Sequence, residues 1–124
     1  MIQSAAMYSI RYHKPEKFVC LTWSPGTASM TDQDFKEALE VFADGALQHH
    51  AERLMIDMTD FRGRPGEEVL TWRDAVIVPR YNQAGVKKIA WVWPGVADSA
   101  TGEGTQYTNR YFASEREALA WIAE

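Results

Sequence analysis

The sequence predicts an α/β fold: one mixed, mainly parallel sheet of about five strands, opened by an antiparallel hairpin and carrying three or four helices. Three observations lead there. Two alternating stretches, residues 7–13 and 17–24, are separated only by Lys14-Pro15-Glu16, a connection short enough to force antiparallel pairing. Beyond them, helical-period segments alternate with short apolar runs, the order that builds parallel crossovers. The stretch 111–122, YFASEREALAWI, then reads as a strand running directly into a helix with its own start signal. The order is β-β-α-β-α-β-loop-β-α, with no internal repeat, and residues 1–124 are expected to form a single domain.

Each element has a local reason. Tyr8, Ile10 and Tyr12 share one face of the first strand, and Pro15 presets its own φ in the turn that follows. In the second strand Val19, Leu21 and Trp23 oppose Phe18, Cys20 and Thr22. Pro25-Gly26 stops that strand. Thr31, with Asp34 three residues on, starts a helix in the manner of a capping box. Its apolar stripe is Phe35, Leu39, Phe42 and Ala46. Gly45 weakens this helix by about 1 kcal/mol relative to Ala, so its end near His49 is expected to fray. Leu54-Met55-Ile56 is a continuous apolar run, as for a strand covered on both faces.

After the polar loop TDFRGRPG a second helix is expected from Glu67, with Pro79 late in it as a kink or a stop. IAWVW gives the next buried strand. The segment 96–109 has no periodicity and is rich in Gly, Ser and Thr, which predicts a mobile surface loop. Ser114 and Glu117 form the S-x-x-E start of the last helix, and Ala118, Leu119, Trp121 and Ile122 give it an apolar face.

Composition excludes several classes of function. Thirteen Lys and Arg against seventeen Asp and Glu leave a net charge of -4, so no basic field attracts nucleic acid or an anionic membrane. Cys20 is the single cysteine, which excludes an internal disulfide and a cysteine-based zinc site. No apolar run approaches the roughly 20 residues of a membrane span. The first residues lack the pattern of a signal peptide, and the expected location is cytoplasmic. At 124 residues the chain can bury roughly two-thirds of its unfolded surface without staples.

The pattern resembles the SpoIIAA-like branch of the STAS (anti-sigma-factor antagonist) domains, also described as STAS/SEC14-like. The likeness rests on Leu54 to Asp57 before a loop, Trp72 in the second helix, AGVKKIAWV at Ala84 to Val92, and FASEREALAWI at Phe112 to Ile122. It implies a small mixed sheet with helices packed on it, and a role without catalysis as an interaction or regulatory module. Regulatory STAS members carry a phosphorylatable Ser or Thr at the start of the helix after the buried strand. Here that region reads Arg62-Gly63-Arg64-Pro65-Gly66-Glu67, without a hydroxyl. The nearest is Thr59, in a different context, so no phosphorylation switch carries over.

The candidate ligand-binding residues are Asp60, Arg62 and Arg64. With Asp57 they lie where a parallel strand hands over to a helix, the edge at which α/β folds take ligands. Arginines there can make bidentate contacts to an anion; alternatively they pair with Asp60 on a solvated loop. His49-His50 point about 100° apart on a helix and do not share a metal unaided. Cys20 reads as a buried small hydrophobe. TGEGT at 101–105 lacks the Lys-Ser/Thr of a P-loop, and no cofactor is expected. Five tryptophans include Trp91 and Trp93 on one strand face. They belong either to core plus an exposed partner surface or to an apolar pocket beneath the second helix. The expected function is therefore a non-enzymatic interaction module. It would be a homodimer with a protein partner, with binding of a small apolar or anionic ligand as the alternative.

Overall fold

The computed structural model describes residues 3–4, 7–94, 100–101 and 107–124. Its five longer strands are those the sequence predicts: β2 (Tyr8–His13), β3 (Phe18–Trp23), β4 (Arg53–Asp57), β5 (Lys88–Val92) and β7 (Thr108–Phe112). Two two-residue strands, β1 (Gln3–Ser4) and β6 (Ala100–Thr101), extend the sheet at its edges. The order is β1-β2-β3-β4-β5-β7-β6. The β3-β4, β4-β5 and β5-β7 pairs are parallel, and the others antiparallel. The predicted loop over 96–109 therefore needs correction, because it contains β6 and the first two residues of β7. Polar Thr108 and Asn109 hide that strand's start in the sequence. Residues 96–99 and 102–106 of that loop, including the TGEGT glycines, lie outside the described residues.

The alternation in β3 divides the core into two layers. Val19, Leu21 and Trp23 join one buried cluster with helix α1 (Asp32–Gln48), and Phe18 and Cys20 join another under α4 (Glu115–Ile122). Parallel register aligns side chains across the sheet. Leu21, Ile56, Trp91 and Tyr111 form one row, and Val19, Leu54, Ile89 and Asn109 form the next. The α1 stripe of Phe35, Leu39, Phe42 and Ala46 is buried against the first of these faces. On α4, Ala118, Trp121 and Ile122 are buried, whereas Leu119 is only half-buried.

Local hydrogen bonds explain where the helices start and stop. The Thr31 hydroxyl accepts from Asp34 N–H at 3.1 Å, and the Asp34 carboxylate accepts from Thr31 N–H at 2.9 Å. Both halves of the capping box are thus made. At α4 only one half forms: the Ser114 hydroxyl accepts from Glu117 N–H at 3.3 Å and donates to the Glu117 carboxylate.

The expected fraying of α1 is replaced by a closed end. His49, His50 and Ala51 N–H groups donate to the carbonyls of Gly45, Leu47 and Ala46. His50 takes the left-handed conformation (φ 48°) that this ending needs. Lys17 does the same (φ 57°) in the β2-β3 turn. Neither position carries the glycine that ordinarily marks such a conformation.

The second helix does not end at Pro79. It runs as α2 (Glu67–Trp72), a π-turn (Arg73–Ile77) and α3 (Val78–Ala84). Val78 N–H reaches back five residues to the Arg73 carbonyl. The wider turn gives room before a proline that lacks a donor and crowds the preceding turn. Gly85, at φ 86°, closes α3. Lys36 lies 5.4 Å from the Trp72 ring and ties α1 to α2.

Candidate functional site

At the carboxyl ends of the parallel strands the second helix does not press flat against the sheet. Between them lies a cavity of about 670 Å³, within the few hundred to 1,000 Å³ typical of small-molecule sites. Its floor is the sheet: Trp23, Ile56, Trp91 and Tyr111. Its roof is Leu70, Arg73, Val78 and Tyr81 from α2, the π-turn and α3. The π-turn thus places Arg73 and Asp74 on the cavity wall. Of the two alternatives for the tryptophan-rich face, the pocket beneath the second helix is present. Trp93, 39% exposed, stands at its edge.

Aromatic rings make the walls flat. Trp91 and Tyr111 stack at 5.6 Å with 16° between planes, and Trp23 and Phe35 at 5.7 Å with 6°. Phe61 tilts over Trp23 at 5.1 Å. It can do so because residue 63 is glycine: a Cβ there would come within 2.8 Å of both the Phe61 ring and the Met30 sulfur. The rim loop is also tied down from below, since Arg62 N–H donates to the buried Thr27 hydroxyl at 2.7 Å.

The predicted site residues sit on the outside of this rim. Along the loop, Phe61, Gly63 and Pro65 line the cavity, while Asp60, Arg62 and Arg64 alternate with them and are exposed. Among the described residues no ion pair joins Asp60 to either arginine. Asp57 is occupied locally, its carboxylate accepting from Thr59 N–H at 2.9 Å. The opening of α2 is also occupied: Gly66 N–H donates to the Asp32 carboxylate at 3.3 Å. His49 stacks on Tyr12 at 4.0 Å. No cluster of three metal-ligating side chains occurs among the described residues.

Few polar groups line the cavity, and apart from Trp91 they are ones the sequence did not single out. Trp91 Nε1–H donates to Asn109 Oδ1 at 3.1 Å. Arg73 pairs with its neighbour Asp74, through Nη2 at 3.1 Å and Nε at 3.2 Å to the same carboxylate oxygen. Tyr81 and Tyr107 meet edge to face at 6.0 Å. Burial pushes the Tyr107 phenol up to about 12, despite the opposing pull of Arg73, and burial followed by Tyr107 pushes Tyr81 up as well. Both phenols are neutral at ordinary pH. Cys20 lies on the opposite face, its thiol pushed up to about 12 chiefly by burial, far from the thiolate that nucleophilic chemistry requires.

A family model described as SpoIIAA-like matches residues 20–123, from the middle of β3 to the end of α4. The chain belongs to the SpoIIAA-like family. No curated protein and no solved structure matches it. In this SpoIIAA-like chain the match spans every parallel strand pair and both sides of the cavity. The helix after β4 opens at Gly66 with no side-chain cap, and residues 62–67 carry no hydroxyl side chain. No helix among the described residues is long and apolar enough to cross a membrane.

Asn109 had one legible signal. Once β7 is known to begin at Thr108, residues 107, 109 and 111 alternate onto the cavity side as Tyr, Asn and Tyr. A lone amide between two aromatic residues on an inward face calls for a partner. The partner is Trp91.

Proposed function

We propose that the chain works as a single, non-catalytic SpoIIAA-like binding domain that takes a small, largely apolar ligand in the cavity beneath the second helix. The observation that carries this reading is the cavity itself: about 670 Å³, walled by aromatic side chains, whereas protein cores ordinarily leave few voids larger than a water molecule. Asp60, Arg62 and Arg64 form the polar outer side of its rim, and the two arginines are the groups that would meet an anionic group at the entrance.

The test fills the space. Val78 is half-buried on the roof, and Val78→Phe directs a ring into the cavity. Overpacking a closed core costs about 1–3 kcal/mol, but here the melting temperature of the ligand-free protein should hold or rise. Binding of an apolar fluorescent probe should weaken by more than about tenfold. The double substitution Arg62→Ala/Arg64→Ala, outside the cavity, should leave binding of an uncharged probe intact and weaken that of an anionic one. Equal probe binding by Val78→Phe and the parent would remove the ligand reading.

A second reading, a protein-interaction module, is favoured by family membership and by Trp93 standing exposed beside Tyr111 at 6.3 Å. Aromatic side chains of this kind favour interface centres. A second copy of the chain is the partner proposed. Sedimentation should then give a dimer at micromolar concentration that Trp93→Ser dissociates, and a monomer throughout that range would exclude it.

A further inference from the structure

Resting on the ligand reading above, we propose that the occupant is an uncharged, flat, ring-bearing molecule whose carbonyl oxygen accepts a hydrogen bond from Asn109 Nδ2. Three features of the wall converge on that class. The first is the amide. An indole N–H can only donate, so the contact at 3.1 Å between Trp91 Nε1 and Asn109 fixes the amide with Oδ1 toward the indole. Nδ2 then has no partner among the described residues, on a half-buried side chain that lines the cavity. A donor left over in an apolar cavity selects an acceptor, because an occupant without one leaves it unpaired at a cost.

The second feature is shape. Trp91 and Tyr111 lie nearly parallel, in register on adjacent strands. They are stacked ring against ring at 5.6 Å, which holds both rigidly beside Asn109, two residues earlier on β7. Stacking on an outer face of that pair, or edge-to-face contact with it, favours a planar ring over a flexible chain.

The third feature is charge. The charged side chains on the cavity wall are Arg73 and Asp74, and they compensate each other through two contacts on one carboxylate oxygen. Both neighbouring phenols are held neutral by burial. Among the described residues, therefore, no uncompensated charge inside the rim awaits an ion; the unpaired Arg62 and Arg64 stand on its outer side. A carboxylate in this cavity would exchange water for dipoles alone, whereas a ketone or amide oxygen is satisfied by one N–H.

Four matched probes test the class by quenching of tryptophan fluorescence: acetylnaphthalene, ethylnaphthalene, naphthoate and a straight-chain methyl ketone of equal carbon number. Acetylnaphthalene should bind about threefold to tenfold tighter than ethylnaphthalene, the value of one neutral hydrogen bond. It should also bind tighter than naphthoate and than the straight-chain ketone. Asn109→Asp keeps an oxygen for Trp91 Nε1–H but replaces the free donor by an acceptor, so it should erase the preference for acetylnaphthalene over ethylnaphthalene. Equal binding of those two by the parent overturns the hydrogen bond, as does a preference that survives Asn109→Asp. Tighter binding of the straight-chain ketone overturns the flat ring, and tighter binding of naphthoate overturns the neutral charge. In each of these cases the cavity still binds ligand, and the broader reading stands. Binding of none of the four overturns both. The parent comparisons decide the matter even where Asn109→Asp fails to fold.

Discussion

Removal of residues 114–124 is expected to abolish cooperative unfolding. Helix α4 is the single helical cover of one sheet face among the described residues, packing over β4, β5 and β7. Without it Phe18, Met55, Val92 and Phe112, each no more than 5% exposed, would face water. At about 1.5–3 kcal/mol for each large side chain, their exposure forfeits roughly 6–12 kcal/mol, comparable to the 5–15 kcal/mol that holds a whole domain folded. A helix this short does not dock for its own sake. Packing holds it, with Lys88 as a clasp: its ammonium donates to the Trp121 carbonyl at 3.1 Å and lies 4.9 Å from the Trp121 ring. That places a cation at the negative end of the helix. The milder probe is Ile122→Ala, at a fully buried position, which should cost about 2–5 kcal/mol. Half-buried Leu119 should cost less. Chemical denaturation monitored by circular dichroism measures both, and a truncated chain that still melts sharply near the parent temperature would contradict the assignment.

The parts of the fold that were legible in the sequence are those determined by neighbours along the chain. Thr31 with Asp34 and Ser114 with Glu117 announce helix starts because a cap acts over three residues. The alternation of β3 announces two buried faces because side chains on a strand change sides at every step. His50 and Lys17 escaped notice because their left-handed backbone is imposed by a closing hydrogen-bond pattern rather than invited by glycine. Pro79 read as a kink or a stop; the helix continues through it, with a change of hydrogen-bond register in the preceding turn. The site was hidden for a different reason. Trp23, Phe35, Phe61, Trp91 and Tyr111 come from three strands, a helix and a loop, and only the parallel register lays Trp91 beside Tyr111. The loop at 60–64 was correctly placed at the strand's carboxyl end. Its charged residues drew attention, whereas its apolar ones face the cavity.

Phe42→Ala is expected to be the most damaging single substitution on the cavity side of the sheet, and it also tests how the roof is held. Phe42 is fully buried at the centre of α1 and meets the Tyr81 ring of α3 edge to face at 6.0 Å. Truncating a buried phenylalanine costs about 3–5 kcal/mol, since the lost transfer energy is joined by a void that rigid neighbours cannot close. For a chain of this length that corresponds to a fall in melting temperature of roughly 10–20 °C. Leu47, on the same helix but 40% exposed, provides the control, and Leu47→Ala should stay within about 0.5 kcal/mol of the parent. A loss under about 1 kcal/mol for Phe42→Ala would mean that α1 does not carry the second helix. The functional consequence follows from Tyr81, which Phe42 braces on one side and Tyr107 on the other. Releasing one brace lets the ring leave the wall it shares with the cavity, so probe affinity should fall together with stability. Val78→Phe should instead separate the two quantities, lowering affinity while stability holds. Opposite behaviour of two substitutions on either side of one roof is what a ligand-sized cavity beneath it requires.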